Sequence, residues 1–349
     1  MDAALRALVV AAWAFRLPLL APLVGVSTAV PRQEETRVAG HPATAYVPGR
    51  LEQAPYALLL NGATPLGRHH PRLVRLAQGV ARAGFRVVVP DLPGLARGEV
   101  TWAGVRSTVI CARELADEGR VALLGISSGT TLALLAAEEP DLAGRVSVVA
   151  GTTCYTDLRD LIRLATTGTY EAEGGELRRY PAGPFLALCV ARSVCAGLDE
   201  GPGREALAQA LASVADDDPD PLARLRHLRL VGLGEEARAA LDLLANRDPR
   251  RFDDLYAALP AKTQAKVDRL SPIRRASRLR VPVELLVDPL DKYFPLEHAL
   301  ALARASPLAR VTVTEALAHA DARRSLRAAV ELVHVGAFLF RVIRAASVR

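Results

Sequence analysis

Lysine is almost missing from this chain. Three lysines (Lys262, Lys266, Lys292) serve 349 residues, and the rest of its 44 basic side chains are arginines. The arginines are interleaved with 38 acidic residues, with no basic block among them, and aromatics make up only 5%. A net charge of +6 so distributed reads as a salt-bridged surface and excludes the basic stripe and stacking platform of a nucleic-acid binder. Cysteine is as sparse. Cys111, Cys154, Cys189 and Cys195 have no C-x-x-C spacing, which removes the common zinc and dithiol motifs. Cys111 and Cys189 lie in apolar helical stretches, where cysteine acts as a small hydrophobe.

An uninterrupted apolar run of the roughly 20 residues that span a bilayer is also missing. Residues 3–30 come nearest, but Arg16, Pro18 and Pro22 divide them and leave 7–15 as the longest clean helical part. Residues 1–31 are read as an apolar arm that lies on a membrane surface or packs on the body. A signal peptide, with Ser27 and Ala29 as small residues for cleavage, and a true anchor are the other two readings. The same ambiguity extends to location: cytoplasmic or peripheral is preferred over exported.

Half the residues are hydrophobic, enough for one large domain or two small ones. After Pro31 the pattern turns regular. Residues 36–40 and 43–47 read as an antiparallel edge pair joined by a His-Pro turn. Residues 56–60, 85–89, 121–124 and 145–150 read as buried strands, with helices at 73–83 and 104–117 between them. Strands at 281–287 and 310–314 and helices at 296–305 and 322–343 complete the series. Alternation at this spacing predicts an α/β fold with a mostly parallel eight-stranded sheet flanked by helices. Residues 152–270 interrupt it with helix formers and no convincing buried strand, residues 228–233 being the nearest. They are too long for a loop and read as a helical cap. The chain then divides into an arm (1–31), a core (32–151 and 271–349) and a cap (152–270).

The organising stretch is Gly125-Ile126-Ser127-Ser128-Gly129, between a strand and a helix that Pro140 stops. A serine hydroxyl becomes a nucleophile only when exposed, near a base and near donors for an oxyanion. Holding it at the apex of a sharp turn needs small neighbours, which explains the glycines two residues to either side.

The turn requires an acid and a histidine later in the chain, each after its own strand. After residues 281–287 comes Asp288-Pro289-Leu290-Asp291-Lys292-Tyr293-Phe294-Pro295. Asp291 is preferred as the acid, and Asp288 is assigned to shaping the turn through its own backbone hydrogen bonds. After residues 310–314 comes His319, the base in this order. The other histidines lack that setting: His41 falls in an edge turn, His69 and His70 begin a helix, and His227, His298 and His334 sit on helices. The backbone N–H groups of Ser128, at a helix N-terminus, and of Ala63, after Asn61-Gly62, are the candidate oxyanion donors.

These motifs, with Asp91-Leu92-Pro93-Gly94, resemble those of the α/β-hydrolase superfamily over roughly residues 33–349. The family's usual histidine-glycine pair is replaced here by Asn61-Gly62. A serine nucleophile departs from haloalkane dehalogenases, which need aspartate there, and from dienelactone hydrolases, which usually carry cysteine. The resemblance implies hydrolysis through an acyl-enzyme on a Ser127–His319–Asp291 triad, with no metal or organic cofactor. The expected partner is a small ester-like molecule. A peptidase, a thioesterase, an acyltransferase and a cofactor-free haloperoxidase would use the same triad, and a non-catalytic scaffold is the rival from another class.

Overall fold

The computed structural model describes residues 2–15, 17, 20–49, 54–228, 234–315 and 326–347, the side chains of 326–330 excepted. The regular alternation builds β1 (Arg32–Val38), β2 (His41–Val47), β3 (Tyr56–Leu60), α3 (Pro71–Arg82), β4 (Arg86–Pro90), α4 (Trp102–Leu115), β5 (Val121–Ile126), α5 (Ser128–Ala137) and β6 (Val146–Thr152). They are preceded by α1 (Ala3–Ala14) and α2 (Leu20–Ser27). The series resumes at β9 (Val283–Val287), α13 (Leu296–Ala305), β10 (Ala309–Val313) and α14 (Leu326–Ala346).

Eight strands form one sheet in the order β1-β2-β4-β3-β5-β6-β9-β10. β2 runs antiparallel to β1 and β4, and every other pairing is parallel. The α/β class and the eight-stranded, mostly parallel sheet are as the alternation predicted. The edge pair differs in two details: β1 already begins at Arg32, and the reversal falls at Ala39-Gly40, both at positive φ (47° and 80°), while His41 and Pro42 belong to β2. A tight turn with two positive φ values matches the right-handed strand twist.

Helices cover both faces, so the central strands are apolar throughout and their alternate residues serve two cores. Leu58, Leu60 and Val88 face a core shared with α4, α5 and the segment after β6. Ala57, Leu59, Val87 and Val89 face a second core built with α1, α3 and α14. α1 packs on this second core, with Ala7, Val9, Val10 and Ala12 buried. Among the described residues no helix is long and apolar enough to cross a membrane. At the opposite end of the chain, Arg341 of α14 donates through Nε to both oxygens of the buried Glu284 of β9 (3.0 and 2.9 Å).

Between β6 and β9 lie α6 (Leu158–Thr167), α7 (Pro184–Gly197), α8 (Pro202–Ala212), α9 (Ala223–His227), α10 (Glu235–Ala245), α11 (Phe252–Ala257) and α12 (Ala261–Arg269). This segment also holds a small antiparallel hairpin, β7 (Thr169–Glu171) with β8 (Leu177–Arg179). Three residues a side leave no periodicity, so this hairpin carries no strand signal in the sequence. Residues 229–233, most of the stretch that came nearest to a strand, lie outside the described residues.

Candidate active site

β5 delivers Ser127 to the carboxyl edge of the sheet in a conformation that L-residues avoid, φ 54° and ψ −125°. Such a backbone costs ~1–3 kcal/mol and persists only where surroundings over-determine it. Here they do. The Ser127 N–H donates to the Thr152 carbonyl (3.0 Å) and the Thr130 N–H to the Ser127 carbonyl (2.8 Å). The Thr130 hydroxyl donates to the Thr152 carbonyl as well (3.1 Å), so β5, α5 and β6 are locked around the turn. A Cβ at Gly125 would lie 2.4 Å from the Thr130 nitrogen. The two flanking glycines are thus steric requirements, as the spacing predicted.

Ser128 opens α5, so its N–H has no intrahelical acceptor. The loop after β3 comes close: a Cβ at Gly62 would lie 3.1 Å from Ser127 Cβ and 3.6 Å from its Oγ. Beside it, the buried Asn61 donates Nδ2 to the Gly62 carbonyl (2.8 Å). That carbonyl belongs to the same planar peptide as the Ala63 N–H, and in a trans peptide the two point opposite ways. Fixing one fixes the other. The next residue, Thr64, donates its N–H to Leu95 after β4 (3.2 Å), tying this loop to the neighbouring one.

Laterally, Leu60 pairs with Gly125, Gly125 with Gly151, Gly151 with Leu285 and Leu285 with Val311. The loops after β5, β9 and β10 therefore leave the same edge, with β9 two strands (roughly 10 Å) and β10 three strands (roughly 14 Å) from β5. After β9, Asp288 is buried and accepts the Leu290 N–H (2.8 Å), the turn-shaping role expected of it. Asp291 Oδ1 accepts two N–H groups, from Tyr293 and Phe294, each at 2.8 Å. Burial pushes the Asp291 carboxyl above the ordinary range, against those two hydrogen bonds and with Asp288 adding to the rise. His319 lies outside the described residues, in the segment that follows β10.

One polar cluster gave no sequence signal. His298, fully buried on α13, accepts the Thr156 N–H on Nδ1 (3.3 Å), which leaves the proton on Nε2, 3.5 Å from Asp160 of α6. Burial lowers the His298 pKa to about 4 and raises that of Asp160 to about 7. Both line a cavity of about 310 Å³ with Arg163, Arg274 and Arg304, apart from the serine turn.

No family model matches the sequence, and no curated protein matches it. Solved structures do. Acylaminoacyl peptidase from Pyrococcus horikoshii is 12% identical, covering 84% of this chain and 37% of its own, with a TM-score of 0.47. A puromycin-hydrolyzing peptidase from Mycobacterium tuberculosis is 17% identical, covering 90% and 39%, also at 0.47. The protein DphMB1 is 17% identical, covering 90% and 85%, at 0.46. The chain spans less than two fifths of the length of the first two. Its own strand order, one antiparallel strand inside an otherwise parallel series, and a strained serine between the fifth strand and its helix identify the architecture. The chain has the α/β-hydrolase fold.

Proposed function

We propose that the chain is a serine hydrolase that cleaves a carboxylic ester of a small or moderately hydrophobic substrate, without a metal or organic cofactor. The observation that carries this reading is the strained backbone of Ser127, held at φ 54° within reach of the Gly62 loop. Ser127 Oγ attacks the ester carbonyl carbon as His319 takes its proton, and Asp291 holds the imidazole in the required tautomer. The oxyanion is met by the N–H groups of Ser128 and Ala63. Collapse expels the alcohol, which takes the proton from His319 and leaves an acyl-enzyme. Water, deprotonated by His319, then attacks the acyl carbon; the bond to Ser127 Oγ breaks, Oγ takes the proton back from His319, and the acid is released. In this reading residues 152–270 form the cap over the site, on the core of 32–151 and 271–349. A peptidase, thioesterase, acyltransferase or cofactor-free haloperoxidase would share these steps or their machinery, and pocket shape decides among them.

The test is fluorophosphonate labelling of wild type and Ser127→Ala, followed by a panel of short to long acyl esters. Labelling of wild type alone, with ester turnover, supports the reading. A folded wild type that neither labels nor turns over esters points to the non-catalytic scaffold.

A second proposal concerns the arm of residues 1–31. Leu23, Val26 and Val30 are 64%, 91% and 74% exposed, an unusual display for three apolar side chains close in sequence. We infer that this surface rests on a membrane, with the C-terminal helix beside it. Val26→Glu would then reduce sedimentation with anionic vesicles; unchanged sedimentation would remove the proposal.

A further inference from the structure

The turn that carries Asp291 is held from outside the core. The Tyr180 hydroxyl, just beyond β8, donates to the Asp291 carbonyl and lies 3.1 Å from that of Phe294. The Gly183 N–H donates to the Lys292 carbonyl (2.6 Å). Three of the four carbonyls in residues 291–294 are thus gripped by the short segment 180–183. Gly183 fits there closely, since a Cβ would sit 3.4 Å from the Tyr293 ring and 3.5 Å from the Lys292 oxygen.

Tyr180 is itself anchored. Its N–H donates to the Gly168 carbonyl (3.0 Å), and its ring meets Tyr170 of β7 edge-on at 5.9 Å. From the other side, buried Tyr155 packs against Phe294 at 6.1 Å. Burial and the neighbouring Asp291 charge push the Tyr180 phenol up, so it remains a donor.

Asp291 Oδ1 is committed to the N–H groups of Tyr293 and Phe294, so the direction of its carboxylate follows the backbone of this turn. Whatever fixes that backbone also aims Oδ2. We propose that Tyr180 is a positioning residue for Asp291, through which the segment between β6 and β9 orients the acid of the triad. The inference rests on the hydrolase reading above. It makes the insertion part of the catalytic alignment, in addition to any role in shaping the pocket.

The experiment follows the pH dependence of fluorophosphonate labelling at Ser127, which needs no known substrate. Tyr180→Phe keeps the ring against Tyr170 and removes only the hydroxyl. The expected result is a roughly 10-fold lower maximal labelling rate with the half-saturating probe concentration unchanged, as loss of an aligned group predicts. A less well held Asp291 stabilises the imidazolium less, so the acid limb of the profile moves to lower pH. In an Asp291→Asn background Tyr180→Phe adds nothing. If Tyr180→Phe lowers the melting temperature but leaves rate and acid limb as in wild type, the residue is structural and the proposal falls. Full additivity with Asp291→Asn overturns it too. A wild type that does not label sinks the hydrolase reading itself, and the proposal with it.

Discussion

A Cβ placed on Gly129 would lie 2.4 Å from the carbonyl oxygen of Leu60, so the helix after the nucleophile and the strand before Asn61 touch backbone to backbone. Neither side can yield by rotating a side chain. Gly129→Ala is expected to destabilise the fold by about 3 kcal/mol or more, measured by urea unfolding. Gly144 is the control. It has φ +74° and nothing near its Cβ position, so Gly144→Ala should cost only about 1 kcal/mol, from backbone strain alone.

Ser127→Ala and Ser127→Gly should be equally inert to fluorophosphonate, yet differ in stability. Alanine keeps the strain of the positive φ, whereas glycine relieves it and gives back part through its freer unfolded chain. The glycine variant should be the more stable of the two by about 1 kcal/mol. Equal unfolding midpoints would mean that the turn stores no strain.

Asn61→Asp removes the donor to the Gly62 carbonyl while keeping the side chain's size. The peptide bearing the Ala63 N–H is then free to turn, and that hydrogen bond matters most to the oxyanion. A loss of about 10²-fold in kcat with KM little changed is expected from ester kinetics. A rise in KM alone would assign Asn61 to substrate binding.

His298 and Asp160 should tilt the pH–stability curve in opposite directions. The unfolded histidine takes up a proton below its ordinary 6.5 while the folded one resists to about 4, so its contribution is full above 6.5 and is lost as pH falls toward 4. The unfolded aspartate ionises above its ordinary 3.8 while the folded one holds its proton to about 7, so its contribution is lost as pH rises from 4 to 7. In the wild type the two slopes largely cancel between pH 4.5 and 6.5. Asp160→Asn should therefore gain stability relative to wild type as pH rises through this window, by about 1 kcal/mol per unit. His298→Gln should gain relative to wild type as pH falls. Parallel curves for all three proteins would refute both shifts.

The sheet was legible because its strands are apolar runs separated by helices with clear stops, and the serine turn because steric need dictates glycine at 125 and 129. Asp288 was readable as turn chemistry, since aspartate before a proline binds its own backbone. Tyr180 was not: its partners lie more than a hundred residues away and are carbonyl groups, which leave no trace in sequence. In sequence His298 is indistinguishable from any other helical histidine, because burial, not spacing, gives it its character. The hairpin of β7 and β8 was lost for want of length, although it is the hairpin that roots Tyr180.

β1 forms one border of the sheet, and its residues Arg32, Gln33, Glu34, Glu35, Thr36 and Arg37 are almost all solvent-facing. An open strand border is a template for another chain to pair with. Arg32, Glu34, Glu35 and Arg37 lie along this border, so pairing with a second copy would desolvate four charged side chains. β1 thus guards against edge-to-edge pairing of two copies, and the protein should stay monodisperse at concentrations where neutralising those four charged side chains would let it dimerise through this border.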